Sequence, residues 1–336
     1  MVSPAKKLAF HEALQRWYKT HGRRDLPWRN TSDPYAIYLS EIMLQQTQVK
    51  TVLEGYYAPF LKTFPTLAAL ANADRQAVTK QWEGLGYYTR AANLHKASQA
   101  CKGVLPQTVE ALHALPGIGR NTARAIACFA FGHAVPVMEA NVRRILCRVF
   151  ALRKADEDIL WEKAEQLVDT QNPFDYNQAM MDIGALVCTK RNPRCGECPL
   201  AGICLGKASA ESYPAAKVAK ITPIRERIIV ALRDKQGYYY LQRRETRFLN
   251  GLYGFPEYEP GTKSILHRNR DYSLKATQII GQIRQTYSHF TLHGIVYLLP
   301  VVQTKNTDLH QVTLEGMKLL PLSRADHKIM ALLANT

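Results

Sequence analysis

The chain has 336 residues, 44 of them Lys or Arg and 28 Asp or Glu, for a formal net charge of +16 and a pI near 9.5. A composition of 46% hydrophobic and 21% charged residues is globular and excludes wholesale disorder, and no apolar run approaches the ~18 residues of a membrane span. The length suits two domains of ordinary size, and the basic excess favours a polyanionic partner, nucleic acid or a membrane surface.

The opening stretch, MVSPAKKLAFHEALQRWYKTHG, has no apolar core followed by a small-residue cleavage site. It reads as an amphipathic helix with Phe10, Leu14 and Trp17 on one face. Asp33-Pro34 then supplies an N-cap followed by Pro at the first helical position. The helix it opens, YAIYLSEIMLQQTQVKTVLEGYY, is apolar on nearly all sides up to Leu44, so it is expected to be buried and to end near Tyr57. Glu41 lies within it. A carboxylate in such a helix is poorly solvated and takes a raised pKa, which suits a proton donor; facing a solvated groove or pairing with an Arg is the competing reading.

Further helices are expected over about 66–82, 87–101, 108–114 and 121–131, the last stopping at Gly132. Between the second and the first of these, Gly84-Leu85-Gly86-Tyr87-Tyr88 places two tyrosines at a turn, where they wedge between bases or serve the core. Leu115-Pro116-Gly117-Ile118-Gly119-Arg120-Asn121-Thr122-Ala123 joins two helical patterns through two glycines. Such a turn presents backbone N–H groups at a helix N-terminus, where a phosphate docks, with Arg120 and Arg124 alongside.

Val137-Met138-Glu139-Ala140-Asn141 precedes a helix at 141–152 with an apolar stripe of Val142, Ile145, Leu146, Val149 and Phe150. The helix dipole is expected to keep the Glu139 carboxylate ionised, as a plain cap or as an anion facing a developing cation.

Four of the seven cysteines follow in the pattern Cys188-x6-Cys195-x2-Cys198-x5-Cys204, interleaved with Gly196, Pro199 and Gly202. Four thiolates on one short loop enclose a metal or a cubane cluster, and the spacing leaves zinc and iron–sulfur both open. Cys101, Cys128 and Cys147 fall in helical patterns as packing residues. No strand alternation appears before residue 220. Residues 206–223, rich in Ala, Ser, Lys and Pro, read as a linker. After it, RIIVALRD, a KQG turn and YYYLQRR form a hairpin and HGIVYLLPVV a strand, so residues 224–336 are expected to be an α+β domain. Residues 1–205 carry a net +7 and residues 206–336 a net +9, so no single basic arm accounts for the charge.

Together these residues resemble the MutY-type adenine DNA glycosylases of the helix-hairpin-helix base-excision repair superfamily. The resemblance covers nearly the whole chain: LPWR at 26–29, LSEIMLQQTQV at 39–49, WEGLGYYTRAANLHKA at 82–97, LPGIGRNTARAI at 115–126, NVRRIL at 141–146, NQAMMDIGALVCT at 177–189, the cysteine loop, GLYGFP and YSHF. It implies a mostly α catalytic region over 1–205, with a [4Fe–4S] cluster on Cys188, Cys195, Cys198 and Cys204. It also implies a Nudix-like α+β domain over 224–336 that reads 8-oxoguanine. Gln46 and Tyr87 match the residues that probe the base stack, and Gly117, Gly119 and Arg120 the backbone-gripping hairpin. Tyr287, Ser288 and His289 match the lesion-reading loop, with Tyr287 where the family usually carries Phe. No acidic Nudix hydrolase box is present, so pyrophosphohydrolase activity is not expected.

By the same resemblance, Glu41 protonates adenine at N7 and the second carboxylate, with Asn141, meets the oxocarbenium-like sugar. That carboxylate is normally Asp in an Asp-Gly-Asn triplet; this chain has Glu139-Ala140-Asn141. Asn121 stands where strand-cleaving relatives carry Lys, so a monofunctional glycosylase is expected. The partner implied is double-stranded DNA with adenine opposite 8-oxoguanine or guanine, met by a monomer in a bacterial cytoplasm without a membrane anchor. A weakened, lesion-binding paralog is the alternative raised by Glu139, and an endonuclease III-like pyrimidine glycosylase is disfavoured by the second domain and the absent Lys.

Overall fold

The structure, a computed structural model, describes residues 2–154, 156–216, 221–246, 248–267, 270–302 and 308–336. The chain divides into two compact units. The first comprises Met1–Ala71 with Lys96–Val218, and the second Asn72–His95 with Ala219–Thr336. The segment 72–95, expected within the 1–205 region, thus groups with the C-terminal chain.

The helices in chain order are α1 (Pro4–His21), α2 (Pro34–Leu44), α3 (Val49–Gly55), α4 (Tyr57–Thr63), α5 (Leu67–Ala71), α6 (Arg75–Gln81) and α7 (Thr89–Ala100). After them come α8 (Val109–His113), α9 (Arg120–Phe131), α10 (Ala140–Val149), α11 (Glu157–Leu167) and α12 (Pro173–Leu186). In α1 the buried face is Phe10, Leu14 and Tyr18, so Tyr18 takes the place expected for Trp17, which packs at the core's edge.

Asp33 caps α2, accepting from the Tyr35 amide at 3.0 Å. The helix does not run on to Tyr57. It ends at Leu44 because Gln46 adopts a left-handed φ of 57°, and the chain restarts as α3 and α4. The single helix expected over 66–82 is likewise split, since Asp74 accepts from the amides of Gln76 and Ala77 and starts α6 afresh. Gly132, at φ 72°, ends α9 as expected. Helices α11 and α12 were not anticipated. They complete the core around Val142, Ile145, Leu146 and Val149 with Leu160, Ala164, Met180 and Ile183.

In the second unit the strands are β1 (Ile224–Arg233), β2 (Tyr239–Arg243), β3 (Tyr253–Gly254), β4 (Glu257–Tyr258), β5 (Ser264–His267), β6 (Arg270–Ser273), β7 (Gln278–Thr286), β8 (Thr291–Pro300) and β9 (His310–Val312). The expected β1–β2 hairpin is present, with Arg233 opposite Tyr239. The main sheet runs β3-β2-β1-β8-β7, with β1 and β8 parallel from Ile224↔Thr291 to Arg233↔Pro300. One face is covered by α13 (Arg324–Leu333), whose Ser323 and Asp326 form a capping box. The buried Asp326 also pairs with Arg244 at 2.9 Å. Within this unit Glu83 accepts from the Leu322 amide at 3.4 Å and pairs with Lys80 and His327. Lys80 reaches the Leu320 carbonyl at 3.0 Å. These contacts explain why 72–95 travels with the C-terminal chain.

The proposed linker begins as folded chain. A short 3-10 helix over Lys207–Ser212 buries Ala210, and the Ala215 amide donates to the Arg153 carbonyl at 2.8 Å. Residues 217–220 of that stretch lie outside the described residues.

Candidate active site and cluster loop

Two carboxylates, one arginine and one asparagine converge in the first unit. Glu41 projects from α2 and is half-buried by accessible area, yet protein surrounds it closely enough that burial pushes its pKa up to about 7. The Glu139 carboxylate adds to that rise and the Arg29 guanidinium opposes it, so all three groups share one field. Glu139 was expected to stay ionised under the α10 dipole. Burial raises its pKa, while a hydrogen bond from Asn141 and the charges of Arg23, Arg144 and Arg29 pull the other way and favour the ionised form. Glu139 occupies the N-cap position of α10 without capping through its side chain.

The loop that delivers Glu139 is pinned on both sides. The Met138 amide donates to Asn121 Oδ1 at 2.6 Å, and the Val137 amide to Asn177 Oδ1 at 2.8 Å. Asn177, on α12, returns its own amide hydrogens to the Val135 and Pro173 carbonyls. Asn121 therefore shapes the backbone before Glu139. Asn141 Nδ2 donates to Glu139 Oε1 at 3.0 Å, and Asn141 Oδ1 accepts from Arg144 Nη2 at 2.8 Å. Arg144 continues to the carbonyls of Gly184 and Cys188, both at 2.7 Å. A chain of hydrogen bonds thus runs from the second carboxylate to the cysteine loop. Gly184 permits it, because a Cβ there would lie 2.5 Å from Asn141 Cβ.

Arg23, Arg29 and Asp182 form an ionic triad that sequence reasoning missed. Asp182 is fully buried; it accepts from the Arg23 backbone amide and Nε at 2.8 Å and from Arg29 Nη1 and Nη2 at 2.8 and 2.9 Å. These donors hold the Asp182 carboxyl below its ordinary range although burial alone would raise it. Arg29 Nε is buried with no hydrogen-bond partner among the described residues. The LPWR and MDIG stretches carried Arg29 and Asp182, and Arg23 lies just before the first. No local pattern told that a helix end and α12 would meet.

The glycine turn between α8 and α9 is exposed at Gly117 and Gly119 and anchored by buried Ile118. Gly117 requires its φ of 77°, and Gly119 is the N-cap of α9 with no side-chain cap and open space around its Cβ position. Arg120 lies over the Trp161 ring at 4.2 Å, while Arg124 is engaged by Glu165 and the same ring. The anion-facing part of the turn is therefore its backbone with Arg120, and Arg124 belongs to the scaffold.

Gln46 and Tyr87 stand in different units, yet both are exposed non-glycine residues in the left-handed region, at φ 57° and 50°. Side chains are rarely held so, and such strain clusters at functional sites. Around Tyr87, the Arg90 guanidinium lies 5.4 Å from its ring and 5.4 Å from that of Trp82. In the β7–β8 turn Tyr287 points inward against Phe248 and Phe290, both at 5.0 Å, and burial pushes its hydroxyl up to about 12. Ser288 and His289 are exposed, with Ser288 Oγ and His289 Nδ1 2.9 Å apart. Tyr287 is thus an anchor, and the two residues after it form the presented surface.

Burial pushes the Cys198 thiol up to about 11; a Leu200 backbone hydrogen bond opposes this, and Cys188, Cys204 and Cys195 add to it. All four sulfurs therefore face one small volume. Among the described residues no three His, Cys, Asp or Glu side chains converge tightly enough for a single metal ion. Four thiols brought together by one short loop are the donor set of an iron–sulfur cluster. Among the described residues no helix is long and apolar enough to cross a membrane.

Helical hairpin, buried acid and cysteine loop define a base-excision DNA repair glycosylase. The HhH-GPD superfamily base excision DNA repair protein model matches residues 39–169, the iron-sulfur binding domain of endonuclease III residues 188–204, and the NUDIX domain residues 228–332. The adenine DNA glycosylase of Buchnera aphidicola subsp. Baizongia pistaciae is 34% identical over 304 residues, covering 85% of this chain and 84% of its own. That of Homo sapiens is 42% identical over 225 residues, 62% of this chain and 41% of its own. A solved structure of a thermostable thymine-DNA glycosylase covers 61% of this chain and 97% of its own at 29% identity, with a TM-score of 0.57. The chain belongs to the adenine DNA glycosylase family, whose members hydrolyse N-glycosyl bonds, and Cys188, Cys195, Cys198 and Cys204 are the cysteines of its [4Fe–4S] loop.

Proposed function

We propose that the protein excises adenine mispaired with 8-oxoguanine or guanine from double-stranded DNA, as a monofunctional glycosylase acting as a monomer in a bacterial cytoplasm. The observation that carries this reading is Glu41: a carboxyl with a pKa of about 7, beside a second carboxylate and an arginine, is half protonated at neutral pH. A general acid works best when its pKa lies near the working pH.

The steps follow from charge. A duplex hides the glycosidic bond, so the nucleotide is flipped into the pocket. Glu41 gives its proton to N7, which lets adenine leave as a neutral base. The sugar becomes cationic, and Glu139, held by Asn141, stabilises or captures it before water completes hydrolysis. Asn121 has no amine, so no Schiff base forms at that position. Gly117, Gly119 and Arg120 take the DNA backbone. Gln46 and Tyr87 probe the stack, and Ser288 and His289 within residues 224–336 read the lesion. The cluster, when bound, cross-links residues 188–204 and adds a redox-active group; the chain's residues supply the acid and the counter-charge.

A second reading is lesion binding with weakened catalysis. It is favoured by the extra methylene of Glu139 and by the rise in its pKa, both of which move it from an ideal counter-anion. Single-turnover cleavage of an adenine:8-oxoguanine duplex, with alkali to reveal abasic sites, separates the two. Product from the native chain supports the enzyme; tight binding with no product above background supports the second reading. Under the second reading Glu139→Asp restores the rate.

A further inference from the structure

We infer that Arg148 of α10 is the counter-charge of the iron–sulfur cluster: its guanidinium donates to the Cys188 thiolate and governs the cluster's reduction potential and retention.

Arg148 is 2% exposed, among the largest fully buried side chains in the molecule. Its Nε donates to the carbonyls of Ala210 and Tyr213 at 2.8 and 3.1 Å. Nη1 donates to the Thr189 carbonyl at 2.8 Å and to Cys188 Sγ at 3.2 Å, and Nη2 to the Lys190 carbonyl at 3.3 Å. Four of these acceptors are neutral. Among the described residues no ion pair joins Arg148 to an Asp or Glu. An unpaired buried guanidinium is too costly to persist, so its compensating negative charge must come from the group it touches. Cys188 is that group, and four thiolates around an iron–sulfur core carry net negative charge.

The backbone supports the same role. The start of the cluster loop, Cys188–Lys190, and the chain after it, Ala210–Tyr213, both end on this one guanidinium. The Gly206 amide returns to the Arg148 carbonyl at 2.8 Å, and a Cβ on Gly206 would meet that oxygen at 2.7 Å. The fold brings the loop back to the arginine at a place where only glycine fits. A positive donor on a cluster sulfur favours the more electron-rich state, so it raises the potential.

The test compares the native holoprotein with Arg148→Lys and Arg148→Gln. The readouts are iron per chain, reduction potential by voltammetry, and decay of the visible cluster absorbance under a chelator. Arg148→Gln is expected to show a more negative potential and several-fold faster decay. Arg148→Lys, which keeps the charge but not the fork, falls between. A native potential and native retention in folded Arg148→Gln would overturn the assignment. Should neither variant fold, Arg144→Lys decides, because it removes the other guanidinium that reaches Cys188: with arginine labelled by 15N in the guanidinium and the cluster in a paramagnetic state, pulsed electron paramagnetic resonance should show a weak 15N coupling from Arg148. Its absence would equally overturn the role.

Discussion

The backbone amide of Met138 donates to the side-chain oxygen of Asn121 at 2.6 Å, one residue before Glu139. A residue of α9 thereby sets the approach of a carboxylate that begins α10. Asn121→Leu removes the acceptor and frees this turn while Asn177 still holds Val137. A misplacement of about 1 Å costs on the order of 100-fold in rate. Single-turnover excision is therefore expected to slow by about 10- to 100-fold, with duplex affinity nearly unchanged. Equal losses of both would mean a general folding defect instead.

Glu41 should control activity and stability in opposite directions. With its pKa raised to about 7, the acid form is present at and below neutrality. Excision should fall as pH rises through about 7, and Glu41→Gln should abolish that limb together with most of the rate. The raised value also means that native stability from this group is complete below the unfolded pKa and is lost as pH rises through the folded one. At pH values above 7 the native chain carries a poorly solvated anion that Gln lacks. Glu41→Gln is expected to unfold at higher temperature than the native chain in alkaline buffer, with little difference at acidic pH. The gain is at most about 3 kcal/mol. Thermal melts across that range check the sign.

Asp182 is the anion on which both Arg23 and Arg29 close. Replacing it by Asn keeps the shape and leaves two cations without their partner. Breaking a buried pair in this way costs about 3–5 kcal/mol. Because the Asp182 carboxyl is held below its ordinary range, its contribution is present above the unfolded carboxylate pKa and disappears as pH falls through the folded value. Urea melts should show Asp182→Asn weakened at neutral pH, with the gap closing in acid. The uncompensated Arg29 charge should also lower the Glu41 pKa and move the alkaline limb of the rate profile to lower pH.

The cluster loop, the glycine hairpin and the buried acid were legible because each is local: cysteine spacing, two glycines between helices, one carboxylate in an apolar helix. Glu139 was found, but the burial that raises its pKa was not foreseen, since the desolvation comes from chain elsewhere. The break at Gln46 was invisible to periodicity, because glutamine is a good helix former and only φ reveals the turn. Arg23, Arg29 and Asp182 escaped for the opposite reason. Each looks like an ordinary surface charge, and only the meeting of distant segments, with Arg23 and Asp182 standing 159 positions apart in sequence, makes a site of them.

Gly184 gives a test in which two effects compete. Alanine favours a helix over glycine by about 1 kcal/mol, so Gly184→Ala in α12 should stabilise the chain if space allowed. Space does not allow it. The new Cβ would sit 2.5 Å from Asn141 Cβ and 3.2 Å from its Cα and Cγ, and a Cα cannot swing aside as a side-chain tip can. Forcing extra atoms into such a contact costs about 1–3 kcal/mol, which offsets or exceeds the propensity gain. The clash also falls on the residue that holds Glu139 on one side and Arg144 on the other. Gly184→Ala is therefore expected to lose a few degrees in Tm and a larger share of its excision rate than of its DNA affinity. A variant that is more stable than the native chain and excises at the native rate would show that α10 and α12 can separate at no cost, and that the Asn141 contact does not position the carboxylate.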